Sequence, residues 1–451
     1  MEFQLKLVII ACTLLSVVKA LSNSGNQTNC YNDERSHRSH YASKTAYEVM
    51  RPHFGNRELS HRGCKPQKIW LLSRHGTRLP GKKDIRVMSS ELSGLRDSIL
   101  ENIELSKVDS HTICPSYLKR LETWQWNSSI TLDRESYLTE QGWNDLKSLA
   151  KRMKKRFPKI FSKRYSQANY LFRHTNTQRT EASFKAFIEG LFGPDADGSI
   201  KAECEPNEDT LLKPYDSCPA YQHNENRIKK TDSELNRFLR SRVYLQTVSD
   251  ISTQLGFASN LSSSQIEAMW DACRYEQAWQ PRQSSPWCGV FNRRQVEVLE
   301  YKEDLKYYYQ NSYGYAKSAD LACFTVADMI RNFEPKNDPR VVAYFTHESE
   351  IQIFLTALGA LKDRTPLKAN NFRSMGKRQF KSSIWTPFAA NVIAVKYDCR
   401  EHGDSSVKIG FFLNEQPLRL DWCRGRLCSW HKVVQRYKRS INGDCSVLYC
   451  R

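Results

Sequence analysis

The sequence predicts an α/β fold in which a mainly parallel sheet carries helices on both faces, with a helical cap inserted into it. Short apolar runs that end in charged residues alternate with amphipathic stretches, which is the pattern of strands and helices in a doubly covered sheet. Residues 192–294 lack strand-like runs and contain helical patterns near 232–248 and 264–279. We therefore expect an α/β domain formed by residues 30–191 and 295–451, and a cap at residues 192–294.

The first elements follow from hydrophobic periodicity. Residues 68–73 (KIWLLS) form a short apolar run before a charged motif, as a buried strand does where it meets a loop. Between 139 and 157, apolar residues recur at helical spacing, which predicts an amphipathic helix. We interpret its lysines and arginines as a solvated face, with anion binding as the alternative. A second strand is expected at 169–173 and a second helix at 180–191.

The later elements complete the sheet. Residues 341–346 (VVAYFT) are the clearest strand, and the helix expected at 348–358 is closed by Gly359. Residues 391–397 and 407–413 alternate like paired strands, and 296–309 is a further helix candidate. Ligands of such sheets bind beyond the carboxyl ends of the strands, where we expect three polar segments to meet. These segments are residues 74–78, 173–179 and 347–348.

The N-terminus has the features of a secretory signal peptide over residues 1–20. Lys6 precedes an apolar stretch at 7–18, and small residues permit cleavage after Ala20. The alternative, a membrane anchor, is disfavoured because the stretch is short for a bilayer, and no later segment is apolar enough for stable membrane insertion. We expect a secreted, extracellular protein, with a lysosomal destination left open.

Cysteine usage agrees with export. The chain has 14 cysteines, and removing Cys12 with the signal leaves 14 − 1 = 13, enough for several disulfides and at least one free or intermolecular thiol. Zinc binding near Cys423 and Cys428 is disfavoured because no CxxC pair and no matching histidine cluster accompanies them. Asn26, Asn127 and Asn260 begin glycosylation sequons.

The charge points to an anionic partner. The formal net charge is +19, and the predicted signal carries Glu2, Lys6 and Lys19, so the mature chain is near 19 − 1 = +18. Such a field attracts polyanions in general. No zinc-finger or RNP-type motif is present, so we expect no nucleic-acid partner. Heparin-like glycans, anionic lipid and polyphosphorylated small molecules are all compatible with this charge, and the oligomeric state is left open.

The segment SRHGTRLP, from Ser73 to Pro80, carries the strongest chemical signal. A histidine between Arg74 and Arg78 crowds three cationic groups into one turn, and they repel one another unless an anion joins them. Arginine presents a fork of donors that matches phosphate oxygens. His75 can then act as a nucleophile if its other ring nitrogen is well oriented.

These residues resemble the RHGxRxP signature of the histidine acid phosphatase family. The resemblance implies a phosphoglycerate mutase-like fold and catalysis through a phosphohistidine on His75, with Arg74 and Arg78 clamping the phosphate. Residues 178–183 (QRTEAS) match the family's later Arg-Thr-x-x-Ser segment, which implies that Arg179 also binds phosphate. The family's late motif, a histidine followed by an acid, is similar to 346–350 (THESE) and implies phosphate binding by His347.

Within this family, most of the chain after about residue 40 resembles the subfamily of multiple inositol polyphosphate phosphatases. That subfamily has His-Ala-Glu in the late motif, whereas here Ser349 takes the place of the acid. The general acid is therefore Glu348 or Glu350. We favour Glu348, because it lies beside His347 in the first turn of a helix, and Glu350 is about 200° further around that helix. Lys82 and Lys83 are candidates for peripheral phosphates or are solvated loop lysines.

Together with the predicted signal peptide, the resemblance implies a secreted phosphomonoesterase that needs no metal or other cofactor. Its expected substrates are polyphosphorylated small molecules, namely phytate and lower inositol phosphates. Two alternatives remain at this stage. One is a broad-specificity acid phosphatase with no inositol preference. The other is a catalytically inactive polyanion-binding protein on the same fold, which the altered late motif keeps open.

Overall fold

The computed structural model describes residues 37–51, 61, 63–105, 107, 113–162, 164–196, 198–203, 206, 208–334, 339–401, 404–423, 425–443 and 445–450. The predicted signal peptide at 1–20, the sequon at Asn26, and Cys30 and Cys204 lie outside the described residues. No helix in the described part is long and apolar enough to cross a bilayer.

The described strands form one mixed sheet in the order β2-β3-β1-β4-β5-β6, with β7 also paired to β5. Their bounds are β1 Cys64–Arg74, β2 Tyr170–His174, β3 Val341–Thr346, β4 Asn391–Glu401, β5 Asp404–Leu413, β6 Gln416–Pro417 and β7 Leu427–Ser429. β2, β3 and β1 are parallel, with Val341 in register with both Ile69 and Tyr170. β4 to β7 continue the sheet antiparallel, and β4 and β5 are the predicted pair. The sheet is thus parallel at its functional centre.

Helices cover both faces of the sheet, which confirms the predicted class. The α-helices are α1 Tyr47–Met50, α2 Lys82–Glu104, α3 Pro115–Glu122, α4 Glu140–Arg156, α5 Gln178–Phe192, α6 Pro219–Gln222, α7 Glu225–Leu239, α8 Arg242–Gln254, α9 Ser263–Trp279, α10 Arg293–Asn311, α11 Ser318–Leu321, α12 Cys323–Arg331, α13 Glu348–Leu358, α14 Ser382–Trp385, α15 Trp430–Arg436, α16 Lys438–Ile441 and α17 Cys445–Leu448. Successive side chains of β1 point to opposite faces of the sheet, so they pack against different layers of helices. Trp70 and Leu72 pack with α10, α12 and α13, whereas Ile69 and Leu71 pack with α4 and α5.

The region predicted as a cap is helical where the structure describes it. Helices α6 to α9 and two short 3-10 turns account for its regular structure between 192 and 294, and no strand is described there. α9 packs against α2, the helix that follows β1. The long connection after β1 therefore packs with the helices of the predicted cap. The boundaries of the cap at 192 and 294 stay a prediction.

Five disulfides stabilise the described part of the chain. They are Cys64–Cys399, Cys218–Cys450, Cys273–Cys288, Cys323–Cys445 and Cys423–Cys428. The first joins β1 to β4, and two others tie the C-terminal segment to distant helices. The two cysteines weighed for zinc, Cys423 and Cys428, are bonded to each other. Disulfides in this number indicate a protein that folds in an oxidising compartment.

Candidate active site

The carboxyl ends of the three parallel strands bring the three predicted segments together. β1 ends at Arg74, and the following His75 donates its backbone N–H to the carbonyl of Thr346, the last residue of β3, at 2.9 Å. On the other side of β3, Thr175 follows β2 and donates to β3 in the same way at 3.1 Å. Because β3 lies between β1 and β2, His347 stands between the two arginine-bearing segments.

These segments line an open cleft of about 300 Å³. The lining residues are Arg74, His75, Arg78, Ser136, Thr177, Arg179, Lys213, Tyr215, Asp216, His347, Glu348 and Ser349. The structure therefore brings six of the predicted site residues to one place. Its volume is at the small end of the range for ligand pockets, and its lining is polar and cationic rather than apolar.

The His75 ring has a defined tautomer. Its Nδ1 lies 2.8 Å from the carbonyl oxygen of Gly76. A carbonyl oxygen can only accept, so Nδ1 carries the hydrogen and Nε2 keeps the lone pair. His75 is 3% exposed, and burial together with Arg74 and Arg179 holds its pKa well below its usual range. His75 is thus a neutral base with one nitrogen available for attack on an electrophile.

Arg74 is fixed beneath the cleft by backbone carbonyls. Its Nη1 donates to the carbonyl oxygens of Ser43 and Thr386, both at 2.5 Å, and its guanidinium stacks on Phe388 at 4.7 Å from the ring centroid. Its Nη2 lies 3.6 Å from Oε2 of Glu348. The side chain is 2% exposed, so an immobile cation faces the site while its Nε has no partner among the described residues.

Arg78 is held by aromatic side chains from α9. Its Nη1 donates to the hydroxyl of Tyr275 at 3.2 Å, and its guanidinium lies 5.9 Å from the centroid of that ring. The indole N–H of Trp279 donates to the Arg78 carbonyl at 3.0 Å, and Tyr275 and Trp279 stack on each other. Sequence reasoning missed both aromatic residues because they lie about 200 positions away in the chain.

Arg179 and His347 are paired in the cleft. Arg179 Nη2 donates to Nδ1 of His347 at 3.1 Å, so Nε2 of His347 carries the hydrogen and donates to Oγ1 of Thr175 at 2.8 Å. Thr175 in turn is bonded to Thr180 at 2.9 Å. Burial, followed by Arg179, lowers the pKa of His347 well below its usual range. Burial and the neighbouring Arg78 lower the pKa of Arg179 to about 10, so it stays charged at neutral pH.

Hydrogen bonds from two helices hold the catalytic turn. The backbone N–H of Gly76 donates to Oγ of Ser183, the serine of the Arg-Thr-x-x-Ser segment, at 3.1 Å. Thr77 Oγ1 donates to Oδ2 of Asp145 in α4 at 2.9 Å. Thr139, the N-cap of α4, donates its backbone N–H and its hydroxyl to the Thr77 carbonyl, each at 2.9 Å. Hydrogen bonds therefore hold the turn at two successive residues, Gly76 and Thr77.

Two glycines allow α4 to approach this turn. A Cβ atom on Gly142 would lie 2.1 Å from the Thr77 carbonyl oxygen, and one on Gly76 would lie 2.3 Å from the Gly142 carbonyl oxygen. Real Cβ atoms essentially never come within 3.0 Å of such neighbours. Glycine at both positions is thus required by close backbone contact rather than by a positive φ.

The other predicted site residues lie elsewhere. Glu350 is fully buried, and its Oε1 is 2.9 Å from Oγ1 of Thr325. Burial raises its pKa well above the usual range. Lys82 and Lys83 are exposed in the first turn of α2, where Lys82 pairs with Glu135 at 3.3 Å, and neither lines the cleft. The sequon asparagines Asn127 and Asn260 are exposed.

Lys213 is a cleft residue that sequence reasoning missed. It belongs to the region predicted as the cap, in a segment that a side-chain hydrogen bond joins to the end of β3. The carbonyl of Leu212 accepts from Oγ1 of Thr346 at 2.6 Å, and the Asp209 carboxylate accepts from the N–H of Leu212 at 2.8 Å. An isolated lysine in a polar stretch gives no sequence signal for this placement.

The described residues contain no group of three or more His, Cys, Asp or Glu side chains that could hold a metal ion. The cations that face the cleft are the arginines and Lys213. Charge on a bound anion can therefore be neutralised by this chain's own side chains.

Comparison with known proteins agrees with the fold. Residues 67–411 match the family model described as histidine phosphatase superfamily (branch 2). The match covers well over half of the chain and includes the strand-end segments on both sides of the cleft. The chain belongs to this superfamily, and with it to the phosphoric monoester hydrolases.

Among curated proteins, the chain is 44% identical over 413 residues to multiple inositol polyphosphate phosphatase 1 of Drosophila melanogaster, covering 91% of this chain and 87% of the relative. It is 25% identical over 433 residues to the protein of the same name from Homo sapiens, with 88% and 86% covered. A phytase from D. castellii superposes with a TM-score of 0.72 at 17% identity, covering 90% of this chain and 86% of the phytase. A Bifidobacterium longum multiple inositol polyphosphate phosphatase, solved with inositol hexasulfate, superposes with a TM-score of 0.63 at 13% identity over 87% and 96%.

Proposed function

We propose that the protein hydrolyses phosphate monoesters of inositol polyphosphates through a phosphohistidine on His75. The observation that carries the proposal is the state of this ring. Nδ1 donates a hydrogen bond to the Gly76 carbonyl, which leaves the lone pair on Nε2. His75 lines the cleft together with three arginines. A neutral, oriented imidazole beside fixed cations is suited to attack a phosphorus atom.

In the first step, the arginines hold the phosphoryl oxygens while Nε2 of His75 attacks phosphorus in line with the ester oxygen. The N–P bond forms as the P–O bond to the substrate breaks, and the departing alkoxide takes a proton from a carboxylic acid. Arg179, which donates to His347 in this structure, turns its donor to the phosphate, whose negative charge favours uptake of a proton from solvent on Nδ1 of His347. His347 then donates a hydrogen bond to the phosphoryl group.

In the second step, water attacks the phosphohistidine and its proton passes to the same carboxylate. The N–P bond breaks, inorganic phosphate leaves, and His75 returns to its neutral form. The buried pocket lowers the pKa of His75, so the imidazole is a better leaving group than a strongly basic amine.

Glu348 is the proton donor in this proposal. It lines the cleft and its carboxylate lies 3.6 Å from Arg74, so it stands beside the bound phosphate. Gln352, one turn further along α13, donates to its Oε1 at 3.1 Å and orients the group. Glu350 is enclosed by the core at Thr325 and has no path to the substrate oxygen.

The substrate class follows from charge. The chain carries a formal net charge of +19, and Lys213 adds a fourth cationic side chain to the three arginines of the cleft. One phosphate engages the arginines, so Lys213 is placed for a neighbouring phosphate on the same ring. The names of the relatives, inositol polyphosphate phosphatases and a phytase, point to the same substrates. We further propose secretion as the route of this disulfide-bonded protein, with the lysosome as the alternative destination.

The test is a comparison of the purified protein on phytate and on an aryl phosphate at equal ionic strength. The proposal predicts release of inorganic phosphate from both, with a higher kcat/KM on phytate. A higher kcat/KM on the aryl phosphate would identify a broad acid phosphatase. Phytate binding without any phosphate release would identify an inactive polyanion-binding protein.

A further inference from the structure

A second cationic cleft lies in the helical region, apart from the catalytic cleft. It has a volume of about 510 Å³ and is lined by parts of α8, α10 and the 3-10 turn Phe372–Met375. It shares no lining residue with the catalytic cleft. Each of the three elements contributes one exposed arginine, namely Arg242, Arg294 and Arg373.

These three arginines have no carboxylate partner among the described residues. Several other cations on helices of this protein are paired with a carboxylate, as Arg293 is with Glu297 at 2.9 Å. The one carboxylate in the cleft, Asp250, instead accepts a hydrogen bond from Gln246 at 2.8 Å. The cleft therefore has a net positive charge that the protein itself does not neutralise.

Two of the arginines stand where the helix dipole disfavours a cation. Arg242 is the first residue of α8 and Arg294 the second residue of α10, and neither helix has an acidic residue in its first turn. Helix N-termini favour anions and disfavour positive side chains. Ser241 and Asn292 already cap the N-termini of these two helices, so the arginines are not needed as capping residues. An anion bound in the cleft would relieve this penalty and pair with the arginines.

We propose that this cleft is a non-catalytic binding site for a small molecule that carries several phosphate groups. Three guanidinium groups from three elements can meet separate phosphates of one ligand, and the volume is in the range of small-ligand pockets. No histidine, cysteine or serine lines the cleft, so the ligand is bound there without a phosphohistidine-type turnover. The proposal goes beyond the proposed function, because it requires no activity at His75.

The second site is far from the first but shares a helix with it. α10 begins at the arginine cleft and ends at Asn311, whose side chain donates to Oγ of Ser349 in the catalytic cleft at 3.2 Å. At 1.5 Å per residue, Arg294 and Asn311 are about 25 Å apart along this helix. A single inositol phosphate cannot reach both clefts, so the two sites bind separate molecules.

The test is isothermal titration of the full protein with inositol hexasulfate, which offers six anionic groups on the same ring without a hydrolysable phosphate. The proposal predicts two molecules per chain for the unaltered protein and one for the variant Arg242→Gln/Arg294→Gln/Arg373→Gln. The control variant Arg86→Gln/Arg419→Gln/Arg439→Gln removes three exposed charges elsewhere. It should still bind two molecules of inositol hexasulfate per chain. The cleft variant should keep its kcat and KM on phytate within about twofold, since its charges lie a helix length away.

Three results would overturn the site. The first is that the unaltered protein binds one molecule and the cleft variant still binds it. The second is that the control variant loses binding to the same extent as the cleft variant. The third is that the cleft arginines capture heparin but bind no inositol hexasulfate. The last would assign the cleft to a sulfated glycan. If the unaltered protein binds one molecule and the cleft variant binds none, the result supports this site and counts against the proposed function. Failure of the second site and failure of the proposed function therefore give different results.

Discussion

Gly142 fixes the position of the catalytic turn, and replacing it with alanine should misplace His75. The added Cβ atom would stand 2.1 Å from the Thr77 carbonyl oxygen, whereas 3.0 Å is the closest that such atoms come. The backbone of α4 and the turn must therefore separate by roughly 1 Å. A displacement of that size in a catalytic constellation lowers the rate by about 100-fold, so we expect kcat/KM on phytate to fall about 100-fold in Gly142→Ala.

The assay is steady-state phosphate release by Gly142→Ala, with thermal unfolding measured on the same sample. Gly94→Ala is the matched control, because Gly94 also lies in a helix, α2, and a Cβ there meets nothing within 4 Å. The control should keep full activity and gain up to about 1 kcal/mol of stability from the better helix former. Activity of Gly142→Ala within threefold of the unaltered protein would refute the idea that this contact positions the turn.

Three further predictions follow from the site. Glu348→Gln should lower kcat on phytate by about 100-fold or more while sparing an activated aryl phosphate, because only the poor leaving group needs a proton; Glu350→Gln should leave that ratio unchanged, and the reverse pattern would reassign the acid. His75 and His347 have lowered pKa values, so the unfolded chain takes up protons first as the pH falls below about 6.5. The melting temperature of the ligand-free protein should drop below that pH, and His75→Gln should flatten the drop; an unchanged slope would count against a buried neutral His75. Chelators should leave turnover unaltered, since arginines neutralise the phosphate, and a loss restored by zinc or magnesium would contradict this.

The sheet and its strand-end chemistry were predictable because they depend on local patterns. The apolar run 341–346 is bounded by polar residues on both sides, and the strand observed there has the same limits. The helix at 348–358 is likewise as predicted, closed by Gly359 in the left-handed conformation. The helical spacing of Glu348 and Glu350 already separated a cleft-facing residue from a buried one.

Side-chain contacts to the catalytic turn from segments outside the strand ends were not predictable. Tyr275 and Asp145 hold the catalytic turn from positions about 200 and 70 residues away, and nothing near them in the sequence marks that role. Lys213 reaches the cleft only because its segment is bonded to the end of β3 through Leu212. Lys82 and Lys83 follow the motif closely in sequence, yet α2 begins at Lys82 and places both in its exposed first turn.

The central claim is that phosphate is transferred to His75, and trapping the intermediate tests it most directly. The protein is mixed with labelled phytate, denatured within milliseconds under alkaline conditions that preserve phosphohistidine, and its peptides are mapped by mass spectrometry. The account predicts label on His75 alone, and neither label nor turnover in His75→Ala. Label on another residue, or appreciable turnover by His75→Ala, would contradict it.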